Sequence, residues 1–311
     1  MWWYKKVVLM GGGPLLRRIS LWLINKSIPV LLITSSRRSK EKIEDLTFKD
    51  FCKVNSIECK IIDRLELIKL ERIIPNPKET LFISIGAPWI FKEAILNFFC
   101  NNLFNLHGTR LPQNRGGGGF SWQIIMGSRY GMCCLHKVDK KIDTGPIVFF
   151  EEFIFKNSSR IPQDFIEEYA EKNFLFLIGI FKKYLKHSNN IQIKNQVEYL
   201  STYWPRLSTD DNGWIDWDRD PHHIERFICA FDNPYNGAST LLNDKHVRLK
   251  KVCLSSQDGS FSEFQNGMIF RVSHDWICVC LRNYTLIIQE ILDKNGNKIL
   301  SKLNVGDRFI T

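Results

Sequence analysis

The sequence of 311 residues has no apolar run long enough to cross a bilayer. The longest such stretch near its start, Ile19–Thr34, is interrupted by Asn25, Lys26 and Pro29. It falls short of the roughly 20 apolar residues that a transmembrane helix needs. The opening Met-Trp-Trp-Tyr-Lys-Lys also lacks a signal peptide's order of charge, apolar core and small-residue cleavage site. These absences predict a cytoplasmic protein without a membrane span.

Paired cysteine spacing is missing as well. The nine cysteines stand in apolar surroundings, such as Cys133-Cys134 and Cys278-Val-Cys280. Disulfide frameworks and zinc sites are not spaced in this way, so we expect buried, reduced thiols. His222-His223 has no third ligand at metal spacing. The sequence therefore predicts no bound metal.

Charge is unevenly distributed along the chain. The net charge is +10, yet residues 205–311 carry thirteen Lys and Arg against fourteen Asp and Glu, whereas residues 1–204 carry thirty against nineteen. A basic first part suits a phosphate-bearing substrate, with a merely solvated surface as the alternative. The slightly acidic second part is poorly suited to nucleic acid, which proteins bind by neutralising phosphates.

Short β-branched runs alternate with helical patterns in the first part, which predicts a doubly wound, mostly parallel, Rossmann-like α/β sheet. An antiparallel pair, Tyr130–Val138 and Ile147–Phe155, is expected at its far edge. The other predicted strands are Lys6–Met10, Val30–Thr34, Cys59–Ile62, Leu81–Ile85 and Leu103–His107. The predicted helices are Leu15–Asn25, Ser39–Asn55, Ile90–Phe99 and Pro162–His187.

The second part has a different pattern. The polar stretch Ser208–Asn212 marks a linker, and a helix over Pro221–Phe231 is followed by short strands with turns such as Asn295-Gly296. This pattern predicts a smaller β-rich, OB-like domain. We therefore expect a catalytic domain over residues 1–204, and a linker with a C-terminal OB-like domain over residues 205–311. Its predicted strands are Ala238–Leu242, Val247–Leu254, Gly267–Val272, Trp276–Cys280 and Thr285–Glu290.

A glycine run, Gly11–Gly13, follows the first strand and opens a helix. Backbone N–H groups at such a place favour an anion, and an ordinary strand-to-helix turn is the alternative. A dinucleotide fingerprint would need a third glycine where Leu16 stands. The second strand runs into Ser35-Ser36-Arg37-Arg38, and arginines there suit a 2′-phosphate. An NADP-dependent α/β protein is therefore kept as an alternative.

The most informative segment is Phe104–Phe120. Asn105 and His107 stand two residues apart at the end of a predicted strand, so both side chains project from the same face, at the edge where open α/β sheets bind ligands. An imidazole can take a proton from an attacking amine, and a carboxamide N–H can stabilise an oxyanion. The pair therefore supplies two roles of acyl transfer, followed by glycines that allow close approach to a ligand.

A second segment, Leu135–Val148, contains a strand, a carboxylate-bearing loop and another strand. Asp143 in that loop is placed to reach His107, orient its ring and stabilise the imidazolium. His136 faces along the strand beside Cys134 and is interpreted as structural.

Together these motifs resemble those of the N10-formyltetrahydrofolate-dependent formyltransferases, which include methionyl-tRNA formyltransferase and the amino-sugar nucleotide N-formyltransferases. The resemblance rests on Asn105-Leu-His107 followed by Leu-Pro and Arg-Gly, and on Asp139 and Asp143-Thr-Gly about 35 residues later. Tyr203–Trp217 and Arg226–Ala238 also look like the linker and the start of the family's C-terminal domain. Thr109 and Gly119 depart from the family's usual Ser and Pro beside the acceptor pocket.

The resemblance implies that His107 is the general base, that Asn105 stabilises the tetrahedral intermediate and that Asp143 supports both. It implies N10-formyltetrahydrofolate as co-substrate, held between two segments of the chain. Those segments comprise Trp89, Ile90 and Phe91, and Asp139, Lys140, Lys141, Ile142 and Asp143. Gly12, Gly13 and Thr109 are the candidates for binding the acceptor.

The acceptor is expected to be a small nucleotide-linked amino-dideoxy sugar, with dTDP, UDP and GDP all open, as in O-antigen or other surface polysaccharide synthesis. After the second strand, Ser35–Lys49 lacks the long basic loop of the tRNA-directed enzymes, and the second part of the chain is slightly acidic. Methionyl-tRNA formyltransferase is the alternative, and a non-catalytic binding module is an alternative of another class. A homodimer is one expected assembly, and no nucleic-acid partner is expected.

Overall fold

The computed structural model describes residues 4–43, 45–184 and 193–311. The chain divides into two compact units. The first consists of Met1–Gly116, Tyr130–Ile154 and Glu168–Tyr203. The second consists of Gly117–Arg129, Phe155–Glu167 and Trp204–Thr311. The first unit therefore ends one residue before the predicted boundary, and the second also takes in two earlier segments. The domain limits given above stay a prediction.

A seven-stranded sheet forms the first unit, in the order β7-β6-β5-β4-β1-β2-β3. The five strands from β5 to β3 pair in parallel, whereas β6 is antiparallel to both β5 and β7. The doubly wound, mostly parallel sheet with an antiparallel edge is therefore confirmed. Its strands are β1 (Lys6–Gly11), β2 (Val30–Thr34), β3 (Glu58–Ile61), β4 (Thr80–Ile85), β5 (Leu103–His107), β6 (Tyr130–Lys137) and β7 (Ile147–Ile154).

Both faces of this sheet are covered, as the strand sequences require. Val7 and Leu9 of β1 belong to one apolar cluster, and the alternating Val8 and Met10 belong to another. Parallel strands buried on two faces have such continuous apolar runs because no position faces water. Buried helical residues of the same unit also belong to the first cluster.

The helices are, in chain order, α1 (Pro14–Asn25), α2 (Ser36–Ser39), α3 (Phe48–Val54), α4 (Leu67–Ile73), α5 (Glu93–Leu96), α6 (Gly119–Ile125), α7 (Pro162–Tyr184), α8 (Thr209–Asn212) and α9 (Pro221–Ala230). The prediction for α1 is confirmed to within one residue. Helix α4, in a segment left without a predicted element, was missed. The predicted helix over Ile90–Phe99 is reduced to α5 and a 3₁₀ turn, Asn97–Phe99. Residues 185–187 of the last predicted helix lie outside the described residues.

The single helix predicted over Ser39–Asn55 is wrong. Lys42–Ile43 and Leu46–Thr47 form a two-stranded hairpin there, and the Thr47 side chain accepts the Asp50 N–H to begin α3. The buried Arg17 guanidinium of α1 donates to three backbone carbonyls of this segment, those of Glu41, Ile43 and Leu46. A long-range cation that satisfies these carbonyls replaces helical hydrogen bonds, and local periodicity does not reveal it.

The second unit contains a six-stranded antiparallel sheet in the order β10-β11-β12-β9-β8-β13. Its strands are β8 (Ala238–Leu242), β9 (Lys245–Ser255), β10 (Ile269–Val272), β11 (Ile277–Leu281), β12 (Tyr284–Asp293) and β13 (Phe309–Ile310). The predicted β-rich domain is therefore confirmed, while its closer likeness to an OB barrel stays a prediction. No helix in the described part of the chain combines the length and apolar character that a bilayer span requires.

Candidate active site

Asn105 and His107 lie at the carboxyl end of β5, in the first unit. β5 pairs in parallel with β4, where Ser84 is opposite Asn105, and antiparallel with β6, where His136 is opposite Asn105. Side chains at directly opposed positions of antiparallel strands lie on one face of the sheet. The register therefore brings His136 to Asn105, although the two are 31 positions apart in the sequence.

Asp143 reaches the same place from the loop between β6 and β7. Its backbone is left-handed, with φ 54°, a conformation that Asp tolerates better than most residues. The loop is tied internally, because the Asp139 carboxylate accepts from Lys141 N (3.2 Å) and Thr144 Oγ1 (2.6 Å). A Cβ on Gly145 would lie 1.8 Å from the Lys137 carbonyl oxygen, so only glycine permits this close passage.

The Asp143 carboxylate lies close to the other two residues of the predicted trio and to two further groups, the Gly116 N–H and His136. Its Oδ2 accepts the Gly116 backbone N–H at 2.9 Å and lies 3.6 Å from His107 Nδ1. Its Oδ1 accepts a longer hydrogen bond from Asn105 Nδ2 (3.4 Å) and lies 3.5 Å from His136 Nε2. The structure thus brings together the three residues predicted as catalytic.

The hydrogen bonds of His107 fix its tautomer. Nε2 lies 2.7 Å from the Asn114 carbonyl oxygen, which can only accept, so Nε2 carries the proton. Thr109 Oγ1 lies 2.8 Å from both Nε2 and that carbonyl, and its hydroxyl donates to the carbonyl. In the neutral ring, the lone pair is therefore on Nδ1, which faces Asp143. The 3.6 Å gap from Nδ1 to Oδ2 is too long for a hydrogen bond.

His136 is a member of this cluster that the sequence interpretation treated as structural. It is buried, and its Nδ1–H donates to the Lys137 carbonyl (2.8 Å), which leaves the Nε2 lone pair to accept from Asn105 Nδ2 (3.1 Å). His136 thereby fixes which way the Asn105 amide points. Alternation along the strand places His136 on one face with Cys134, but only the antiparallel pairing with β5 brings it beside Asn105.

Burial and charge set the protonation states of the pair. Burial lowers the pKa of His107 below its ordinary value, against the opposing effect of the Asp143 charge. Burial raises the pKa of Asp143, but the neighbouring His107 ring and the hydrogen bond from the Gly116 N–H outweigh it, and the pKa is about 2. At neutral pH the cluster therefore holds an ionised carboxylate and an imidazole able to accept a proton.

Ligand atoms of His107, His136 and Asp143 lie within 4.8 Å of one another, and two imidazoles with a carboxylate are a set that zinc accepts. Asn105 Nδ2 donates to two of these three side chains, however. An amide N–H directed at the same lone pairs repels a cation, so the donor set does not fit a metal as it stands. The expected absence of a metal stays a prediction.

A cavity of about 520 Å³ adjoins this loop in the first unit. Four of the eight residues predicted to hold the folate line it: Ile90, Lys140, Lys141 and Ile142. Phe91 is buried in the second apolar cluster, the partly buried Trp89 packs against that cluster, and Asp139 holds the loop. Buried Arg115, from the Arg-Gly pair of the resemblance, and exposed Tyr203 also line the cavity.

The residues predicted to bind the acceptor are dispersed. Gly12 and Gly13 precede α1 at the end of β1, and β1 is separated from β5 by β4, a distance of about 10 Å. A Cβ on Gly12 would meet the Arg38 side chain, whose guanidinium is engaged by Glu41 and the Gly86 carbonyl. Thr109 is buried against His107, so it contributes to holding the base, and any contact with an acceptor stays a prediction.

Comparisons with known proteins find formyltransferases among the similar ones. Residues 190–304 match the family model for the C-terminal domain of formyl transferases. Methionyl-tRNA formyltransferase of Geobacter sulfurreducens is 25% identical over 75% of this chain and 68% of its own length. The bifunctional polymyxin resistance protein ArnA of Wigglesworthia glossinidia brevipalpis is 29% identical over 75% of this chain and 35% of its own length.

Solved structures show the same fold. The N-formyltransferase from Helicobacter canadensis, in complex with folinic acid and dTDP-3-aminofucose, superimposes with a TM-score of 0.69 at 18% identity. The match covers 92% of this chain and 99% of that one.

Proposed function

We propose that this chain, which resembles formyltransferases in its C-terminal domain and in its fold, transfers the formyl group of N10-formyltetrahydrofolate to the amine of a nucleotide-linked amino-dideoxy sugar. The observation that carries the proposal is the cluster of Asn105, His107 and Asp143 at the carboxyl end of β5. The product class is a formamido sugar, as used in O-antigen and other surface polysaccharides.

The amine nitrogen attacks the formyl carbon, and the carbonyl oxygen becomes an oxyanion. The proton that the amine loses passes to His107 Nδ1, the ring nitrogen whose lone pair is free in the neutral tautomer. The bond between the formyl carbon and N10 then breaks, and N10 takes the proton back from the imidazolium. The products are the formamide and tetrahydrofolate.

Asp143 stabilises the proton-bearing state of His107. Its low pKa, about 2, keeps it negative throughout, and the Gly116 N–H holds the oxygen that faces Nδ1. When Nδ1 gains a proton, the imidazolium and this carboxylate attract each other in a poorly solvated place. The same carboxylate is near enough to orient the incoming amine, because both must reach the same side of the ring.

Asn105 supplies the hydrogen bond for the oxyanion. One N–H of its amide is committed to His136 Nε2 at 3.1 Å, and the other makes only the longer contact to Asp143 at 3.4 Å. The weaker bond is the one that can be exchanged for a developing negative charge, where a positioned donor contributes most to rate. His136 keeps the amide from turning its oxygen towards that charge.

The folate is proposed to occupy the cavity beside the Asp143 loop. Ile90 and Ile142 offer apolar surface to the aromatic part of the molecule, and Lys140 and Lys141 offer charge to the carboxylates of its glutamate tail. The Helicobacter canadensis enzyme named above binds folinic acid, a folate, on the same fold.

A sugar nucleotide is preferred over methionyl-tRNA for two reasons. Between β2 and α3 the described residues form the four-residue α2 and a hairpin of two two-residue strands, without a long basic loop. Residues 205–311 carry slightly more acidic than basic side chains, whereas an RNA clamp neutralises several phosphates. The NADP alternative is weakened because Arg38 is already engaged by Glu41 and Gly86.

The test is an acceptor panel. The purified protein is incubated with N10-formyltetrahydrofolate and, separately, with dTDP-, UDP- and GDP-linked amino-dideoxy sugars and with methionyl-tRNA, and products are identified by mass spectrometry. We expect a formamido sugar from one nucleotide series, and loss of turnover by about 10² or more in His107→Ala. Formylation of methionyl-tRNA alone would establish the alternative acceptor, and a parent protein that binds no folate would overturn the proposal altogether.

A further inference from the structure

We infer that Gln196, outside every motif described above, is a positioning residue that holds Asp143 in place for proton transfer. The inference rests on the proposed function, since it concerns the carboxylate that faces His107. Gln196 is the one residue between positions 193 and 200 that is not exposed.

The side-chain amide of Gln196 bridges the Asp143 loop. Its Nε2 donates to the Asp143 carbonyl (2.8 Å) and to the Gly145 carbonyl (2.7 Å). Its Oε1 accepts from Arg115 Nε at 3.1 Å. Because a guanidinium can only donate, the oxygen of Gln196 must face Arg115 and the NH₂ group must face the two carbonyls. The orientation of this amide is thus determined by chemistry.

Arg115 is itself held firmly. It is buried, its Nη1 donates to both carboxylate oxygens of Glu198 (3.0 and 3.1 Å), and its backbone N–H donates to the Thr202 carbonyl (3.0 Å). The next residue, Gly116, donates its N–H to the Asp143 carboxylate. Arg115 and Gly116 therefore both hold Asp143. Gly116 binds its carboxylate directly, and Arg115 binds Gln196, which in turn binds the Asp143 carbonyl.

The Gln196 bridge acts on a loop whose backbone conformation is unfavourable. Asp143 has a positive φ, and Gly145 passes against the Lys137 carbonyl, so the two hydrogen bonds from Gln196 help to hold a strained backbone in shape. A shift of the loop would lengthen the 3.6 Å separation between Asp143 Oδ2 and His107 Nδ1. Misplacement of a group by about 1 Å can lower a rate by about 10²-fold.

The experiment compares Gln196→Met with the parent protein. Met keeps the length, removes both donors and adds no charge. We expect kcat to fall between about 10-fold and 100-fold with both KM values within about threefold. We also expect the acid limb of the kcat profile to move to lower pH, because Asp143 raises the pKa of His107 and would act from farther away. Adding Gln196→Met to the Asp143→Asn variant should lower kcat little further, because the two residues act through one carboxylate.

Tyr199→Ala is the matched control, a change in the same segment at a residue that is 87% exposed. It should leave kcat and the pH profile unchanged. A Gln196→Met protein that melts at a lower temperature but keeps the parent's acid limb would reduce Gln196 to a structural residue and overturn the inference. If that variant does not fold, Gln196→Glu keeps the acceptor for Arg115, and loss of turnover is expected from its missing donors.

A titration of the His107 ring by NMR separates this inference from the proposed function, because it needs no substrate. A pKa of His107 that is lower in Gln196→Met than in the parent supports the positioning role even if no acceptor is found. An unchanged pKa contradicts it even if formyl transfer is established.

Discussion

Replacing Asp143 by Asn gives the sharpest test of the proton-transfer step. Asn is nearly the same size, tolerates the left-handed backbone that Asp143 adopts, and keeps an oxygen that can accept the Gly116 N–H. The substitution therefore removes the negative charge and leaves the shape of the loop. What it changes is the electrostatic support for His107 when Nδ1 becomes protonated.

The magnitude follows from the 3.6 Å separation between Asp143 Oδ2 and His107 Nδ1. Two unit charges at this distance attract by about 1 kcal/mol at the dielectric constant of water and about 5 kcal/mol at an effective value of 20. The expected loss of kcat is therefore roughly tenfold to a few thousandfold, and the partial burial of both side chains favours the upper part of that range. Calorimetry with a stable folate analogue should give an affinity within about tenfold of the parent's, a difference of roughly 1.4 kcal/mol.

The pH dependence gives the prediction its sign. A protonated His107 cannot accept the amine's proton, so kcat falls as the pH drops through the pKa of this ring. Asp143 raises that pKa while burial lowers it, and a neutral Asn leaves burial unopposed. The acid limb of Asp143→Asn should therefore lie at lower pH than the parent's. Unchanged turnover, or an acid limb at higher pH, would refute the assignment of Nδ1 as the base.

Three further predictions concern the neighbours of the trio. His136→Ala should lower kcat by about tenfold or more with unchanged KM values, because the Asn105 amide loses the acceptor that orients it; parental kcat would show that His136 only packs. Thr109→Ser should keep turnover within about threefold, whereas Thr109→Val should lower it by losing the hydroxyl on Asn114 O and His107 Nε2, and equal rates for the two would contradict this. Lys140→Gln combined with Lys141→Gln should raise KM for a folate polyglutamate and leave kcat unchanged. Lys294→Gln combined with Lys302→Gln, at two exposed positions, is the charge-matched control, and an effect that persists at high salt would argue against ion pairing.

Much of the fold was predictable because its signals are local. The β1 run has alternate residues in two different apolar clusters, which is the pattern of a strand covered on both faces. Turn residues and strand spacing likewise located the antiparallel sheet of the second unit. The wrong helix prediction has a long-range cause. The segment from Ser39 to Thr47 is shaped by the Arg17 guanidinium of α1, and no window of neighbouring residues contains that interaction.

The residues of the site also fall into those that the sequence reveals and those that only the structure reveals. Asn105, His107 and Asp143 could be picked out because their chemistry is legible from residue type and position at strand ends. His136 and Gln196 could not, because each acts through hydrogen bonds made across the sequence, one by strand register and one by a bridge to two carbonyls. Phe91 is buried in the core and Trp89 packs against it, and such aromatics look in sequence like those beside a ligand, so their predicted contact with the folate stays a prediction.

The tautomer of His107 determines which ring nitrogen faces the substrate and which faces the protein in the proposed reaction. In a relay of the serine-protease kind, the carboxylate holds one ring nitrogen and the substrate meets the other. Here the Asn114 carbonyl and Thr109 occupy Nε2, so in the proposed reaction the amine and Asp143 both approach Nδ1. A carboxylate on the substrate's side can accept a hydrogen bond from the amine before attack and from the imidazolium after it. Its position, set by Gly116 on one side and Gln196 on the other, then matters at every step of the transfer.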